Sequence, residues 1–149
     1  MIGPRSAGET KGSLLPADQE ITVPIASELD IVAARQRGRA MATQLGCSPT
    51  EAALIATAIS ELARNIVLYA KHGEIGLAIT NGGGRQGIMV VARDQGPGIA
   101  DVSRAVAEGY STSGGLGIGL SGVRRLVDEF EISSEPGKGT TVTVKRWRR

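Results

Sequence analysis

The sequence is poor in the residues that staple a fold or ligate a metal. Its 149 residues include one cysteine, Cys47, and one histidine, His72. A single cysteine excludes an intrachain disulfide and any multi-cysteine metal centre. His72 follows a helical run and reads as a helix-end residue. Aromatics make up only 3% of the chain, so the core must be built from Ala, Val, Ile and Leu. Neither sign of charge dominates: the net charge is +2, too small to imply nucleic acid. Much of that excess lies in Lys145–Arg149, which reads as a solvated tail. The start, MIGPRSAGETKG, lacks the apolar stretch of a secretory leader. No apolar run approaches the roughly 20 residues that span a bilayer. The expectation is a cytoplasmic protein with neither nucleic acid nor membrane as partner.

What is present is an ordinary globular composition, 41% hydrophobic and 21% charged, with 21 glycines crowded into the second half. That fits one domain over residues 19–149, preceded by a mobile tail over 1–18 rich in Gly, Ser and Pro. Ile21, Val23 and Ile25 alternate as in a strand, and Pro24 puts it at an edge. Ser27 with Asp30 opens a helix from Glu28 to Leu45, ended by Gly46. Ser48-Pro49-Thr50-Glu51 is a capping box with proline at the first helical position. That helix should run to about Lys71, with Ile55, Ile59, Leu62, Ile66 and Tyr69 on one buried stripe at about 100° per residue. Glu74–Thr80, the turn Asn81-Gly82-Gly83-Gly84 and Gly87–Arg93 read as a β-hairpin. A short helix over Asp101–Glu108 and a glycine loop over Gly109–Gly119 follow. Leu120–Phe130 is a short helix. Two strands, Phe130–Ser134 and Thr140–Val144, flank the turn Pro136-Gly137-Lys138-Gly139.

Three constellations carry chemistry. Glu61 and Asn65 are four apart on one helix, at the border of its apolar stripe. An amide oxygen suits Mg²⁺, which keeps water and phosphate for its other positions, and a neighbouring carboxylate can take a proton. Asp94-Gln95-Gly96-Pro97-Gly98-Ile99 follows the apolar run Ile88–Ala92. A carboxylate there can accept a hydrogen bond from the exocyclic amine of adenine; a plain turn is the alternative. Gly114-Gly115-Leu116-Gly117-Ile118-Gly119 leads into a helix, where backbone N–H groups and the helix dipole bind phosphate; a flexible surface loop is the alternative. Gly117, Gly119 and Gly122 also spell a dinucleotide fingerprint, but the stretch before them, Gly109–Ser113, is polar and supplies no strand.

The order E-x-x-x-N, D-x-G-x-G, G-x-G-x-G and a downstream G-T-T resembles the GHKL superfamily of gyrase B, MutL, histidine kinases and anti-sigma-factor kinases. The stretches ATAISELARNIVLYA, ARDQGPGI, GYSTSGGLGIGLSGVRRLVDEFEI and GTTVTV are most similar to its RsbT-type serine/threonine kinases. The resemblance runs from about Glu20 to Trp147. It implies a Bergerat-type α/β two-layer sandwich with helices on one face of a mixed sheet, binding ATP and Mg²⁺. It further implies that Asn65 binds the metal, Glu61 acts as base and Asp94 holds adenine. Gly96, Gly98 and Ile99 would line the base pocket, Gly115, Gly117 and Gly119 the phosphate lid, and Thr140 the adenine end. The implied partners are STAS-domain stressosome proteins of the RsbS/RsbR type as substrates, and an RsbU-type phosphatase activated by the freed kinase. A non-catalytic ATP-gated binding module and an anti-sigma factor kinase binding a sigma subunit are the other function classes.

Overall fold

The computed structural model describes residues 20–99, 102, 106–107 and 119–149. The expected tail over 1–18, and the helix over Asp101–Glu108 and glycine loop that follows it, lie outside these residues but for a few positions. The elements are β1 (Ile21–Ile25), α1 (Glu28–Leu45), α2 (Pro49–Asn65), a π-helical turn (Ile66–Ala70), β2 (Gly73–Gly82), β3 (Arg85–Asp94), α3 (Gly119–Leu126), β4 (Glu129–Glu135) and β5 (Gly139–Trp147).

The start and stop signals act as their chemistry requires. The Glu51 N–H donates to Ser48 Oγ at 3.1 Å and Glu51 Oε1 accepts from the Ser48 N–H at 3.3 Å, completing the box that opens α2. At α1 the shorter Asp30 reaches the Ala26 N–H instead, at 2.8 Å, and the Ser27 side chain makes no cap bond. Gly46 ends α1, with the N–H groups of Gly46 and Cys47 bonded to Thr43 and Ala42 carbonyls. The β2–β3 hairpin turns on Gly83 and Gly84, whose φ values of 57° and 78° are those a tight hairpin turn demands at both central positions.

The sheet order is β1-β2-β3-β5-β4, and every pairing among the described residues is antiparallel. The two-layer sandwich is as expected; the mixed sheet is not. A parallel neighbour needs a single crossover. Two helices separate β1 from β2, so the chain returns reversed. β5 then inserts between β3 and β4, which run the same way but never pair.

One face of the sheet carries Val23, Ile25, Ile75, Leu77, Ile88, Val90, Val142 and Val144, all buried under the helices. From α2, Ile55, Ile59 and Leu62, and from the π turn Ile66, enter the same core, each adding about 1.5–3 kcal/mol of burial. The run Pro49–Ala70 is in fact long and apolar enough to cross a membrane by length and composition, yet these side chains face the sheet. Tyr69, expected on the stripe, is 43% exposed. The helix widens to π geometry after Asn65, and the extra residue per turn carries Tyr69 off the buried side.

The basic C-terminus is not a solvated tail. β5 extends to Trp147, whose N–H donates to Asp128 Oδ2 at 2.7 Å and whose ring N–H donates to Glu129 at 3.1 Å. The Arg149 N–H donates to Glu51 at 3.1 Å, and its guanidinium donates to Asp128 at 2.6 Å. Arg146 donates to the Leu126 carbonyl at 2.7 Å, closing α3 four residues earlier than its pattern suggested. The Asp128 N–H meanwhile bonds Lys145, drawing the chain into the sheet.

This strap makes part of the stability pH-dependent. Burial by itself pushes the Asp128 carboxyl up. Hydrogen bonds from Arg149 and the Trp147 N–H, with the charges of Arg149 and Arg146, outweigh it and hold the carboxyl below its ordinary range. A depressed folded-state value adds stability that is complete above the unfolded value of about 3.9 and is lost as the pH falls through the folded value. Asp128→Asn should lower the unfolding free energy at neutral pH by about 1 kcal/mol and lessen its decline on acidification. Denaturant unfolding from neutral pH down to about pH 2 checks both; curves that superimpose with wild type would refute the assignment.

Candidate nucleotide site

The motifs gather at one end of the sandwich, where α2 and its π turn overlie the ends of β2 and β3. Asp94 closes β3, opposite Gly73 on one side and Thr140 on the other. Gly73 is the contact point between layers. A Cβ there would lie 3.0 Å from Ile66 Cγ2 and 3.1 Å from Asp94 Cβ. Ile66, the residue after Asn65, and Asp94 thus both flank Gly73. Gly96 meets the same segment one turn later, since a Cβ on it would come within 2.6 Å of the Ala70 Cβ. Sequence reasoning had no signal for Gly73 or Ala70, because their roles exist only across the layers.

Asp94 Oδ1 accepts the Gly96 N–H at 2.8 Å, which folds the loop back on its own carboxylate. Among the described residues no hydrogen bond occupies Oδ2, and none of them competes there with a donor such as an amine. The rest of the loop is tied to the β4–β5 hairpin. The Ile99 N–H donates to Ser134 Oγ at 2.7 Å, and Ser134 Oγ lies 2.8 Å from Thr140 Oγ1 and 3.1 Å from the Gly139 carbonyl. Ser134 therefore joins Ile99 to Thr140. It was missed, although the Pro136-Gly137-Lys138-Gly139 turn sets the register that places it opposite Thr140.

The other half of the site is built on helices. Glu61 is 7% exposed. Its Oε1 accepts the Gly119 N–H at 3.3 Å, joining α2 to the first residue of α3, and its Oε2 binds the Arg64 guanidinium. A carboxylate thus sits at the positive end of α3, where the glycine run enters. Asn65, one turn on, is half-buried, and its side chain makes no hydrogen bond among the described residues. Among these residues nothing takes up its amide oxygen, which can serve as one hard ligand. No group of three or more His, Cys, Asp or Glu side chains that could hold a metal occurs among the described residues. Mg²⁺ held by one protein oxygen together with phosphate and water suits this arrangement. Gly115 and Gly117 lie outside the described residues; Gly119 is the first residue of α3. The structure thus groups Asp94, Gly96, Gly98, Ile99 and Thr140 at one end of the site, and Glu61 and Gly119 at the other.

Residues 50–148 match the family described as Histidine kinase-, DNA gyrase B-, and HSP90-like ATPase. The chain is 52% identical over 127 residues to the serine/threonine-protein kinase RsbT of Bacillus subtilis (strain 168), covering 85% of this chain and 96% of that protein. It is 32% identical over 114 residues to the anti-sigma F factor of Thermoanaerobacter sp. (strain X514), covering 72% and 78%. Among solved structures, that of the RsbU and RsbW domains of Rv1364c from Mycobacterium tuberculosis superposes with a TM-score of 0.59 at 23% identity. That match covers 87% of this chain and 33% of the other, and it concerns the fold.

Gly98 and Gly137 test how tightly the loop is seated. Both have φ of 80°, so alanine at either incurs left-handed strain of about 1–2 kcal/mol. A Cβ at Gly98 would also lie 2.2 Å from the Glu135 carbonyl oxygen, whereas nothing lies within 4 Å of one at Gly137. Gly98→Ala should therefore destabilise the protein more than Gly137→Ala, by a further ~1 kcal/mol or more, in denaturant unfolding of the two variants. Equal losses would mean that the loop is not packed on the β4–β5 turn.

Proposed function

The chain belongs to the Histidine kinase-, DNA gyrase B-, and HSP90-like ATPase family, and on that premise we propose that it is a serine/threonine kinase acting on a STAS-domain protein. The observation that carries this reading is Glu61, a carboxylate held at the entrance to α3 rather than at the adenine end. The RsbT relative supports the kinase assignment over mere nucleotide binding.

In this reading Oδ2 of Asp94 accepts a hydrogen bond from the adenine amine, and Gly96, Gly98 and Ile99 line the base. Thr140 supports that end through Ser134. Gly115 and Gly117, with Gly119 and the positive end of α3, receive the phosphates. Asn65 would contribute one oxygen to Mg²⁺, whose charge would offset that of the phosphates. Glu61 takes the proton of the acceptor hydroxyl as that oxygen bonds to the γ-phosphorus and the bond to ADP breaks. The acceptor is a Ser or Thr of a stressosome STAS protein of the RsbS/RsbR type. Phosphorylation frees the kinase to activate an RsbU-type phosphatase. The anti-sigma F relatives favour a second reading, in which the same ATP-bound domain holds a sigma subunit.

Glu61→Gln keeps the shape but cannot accept the proton. It should bind Mg-ATP and the STAS partner as wild type does, while phosphotransfer slows by about 10²–10⁴-fold. Binding titrations and label transfer on the same preparations measure this. Unchanged transfer would remove Glu61 from the base role. A wild type that binds both ligands and transfers nothing would replace the kinase with an ATP-gated binding module.

A further inference from the structure

We propose that Arg64 is the positioning residue for Glu61, fixing which carboxylate oxygen faces the phosphate end of the site. The inference rests on the kinase reading only for what Glu61 then does; the positioning itself is a matter of geometry. Arg64 is three residues after Glu61, so the two side chains are neighbours on the surface of α2. Its Nη1 binds Oε2 of Glu61, while the Gly119 N–H binds Oε1. The two oxygens are therefore divided: one faces a guanidinium of the same helix, the other the first residue of α3.

An exposed i,i+3 ion pair would contribute little. This pair is different because the Glu61 side chain is 9% exposed and that of Arg64 28%. A carboxylate taken that far from water needs every donor it has. Among the described residues its donors are Arg64 and Gly119, and no other side chain holds it. Without Arg64, Oε2 has no partner among the described residues, and the carboxyl group can rotate about its terminal torsion, which is broad. Oε1 would no longer be held toward Gly119. Arg64 is also adjacent to Asn65, a position from which a guanidinium can reach a phosphate. Its engagement with Glu61 instead makes its effect pass through that carboxylate.

The two roles separate in a double-mutant cycle with a spectroscopic readout. Arg64→Met keeps the aliphatic stem and removes the charge. In ligand-free protein labelled with ¹⁵N, the Gly119 amide resonance should move in Arg64→Met toward its position in Glu61→Ala. Phosphate release from Mg-ATP, with water as acceptor, should fall about tenfold or more in Arg64→Met, a part of what a positioned base contributes. It should fall no further when Arg64→Met is added to Glu61→Gln, and Mg-ATP affinity should be unchanged. A Gly119 resonance that moves in Glu61→Ala but not in Arg64→Met would overturn the proposal, as would one that moves in neither. An equal fall in rate in both backgrounds would make Arg64 a phosphate ligand and overturn it too. If Glu61→Gln hydrolyses at the wild-type rate while Gly119 still moves in Arg64→Met, the positioning stands and the base reading fails. Should Arg64→Met not fold, Arg64→Gln, which retains a donor, is judged by the same resonance.

Discussion

The buried carboxylate of Glu61 is the contact on which the site depends. It joins α2, the central core helix, to the first residue of α3, across 58 positions of sequence. A charged group this deep is tolerated only with its hydrogen bonds made, so α3 and Arg64 cannot be arranged independently of it. The glycine run enters α3 at that point. The chemistry proposed for the site rests on this one junction.

The two ends of the site are held by different means. The Asp94 end is seated on the sheet, with the loop bonded to its own carboxylate, to Ser134 and to the turn between β4 and β5. The Glu61 end is seated on helices. Between them the π turn of Ile66–Ala70 lies over Gly73 and Gly96, and its widened backbone packs the helix end against the sheet while turning Tyr69 outward. The C-terminal strap completes the frame from the other side, since Arg149 bonds the same Glu51 that caps α2.

Local signals were legible and long-range ones were not. The capping box at Ser48 and the end of α1 at Gly46 depend on a few adjacent residues and stand where the pattern put them, while the hairpin turn expected over Asn81–Gly84 narrows to Gly83-Gly84 because the strands extend further. The motif residues could be named because their types and order resemble a family pattern, and the structure groups Asp94, Gly96, Ile99 and Thr140 at one end of the sandwich. Ser134, Gly73 and Arg64 were not singled out, because their significance lies in a partner on another element or in a division of oxygens that no spacing reveals. The outward turn of Tyr69 follows from a change of helix geometry that a constant 100° count cannot anticipate. The strap was misread because Asp128 and Glu51 lie 21 and 98 positions from Arg149. The antiparallel sheet follows from an even number of helices between β1 and β2, a matter of topology rather than of motif.

The central claim is that one bound nucleotide spans both ends, adenine on the sheet and triphosphate on the helices. A crystal structure with Mg²⁺ and a non-hydrolysable ATP analogue tests it most directly. The account predicts the adenine amine on the Asp94 carboxylate, the metal on the Asn65 amide oxygen and the γ-phosphate nearest Glu61. An analogue bound in the reverse direction, or away from Asp94 and Asn65 altogether, would contradict it.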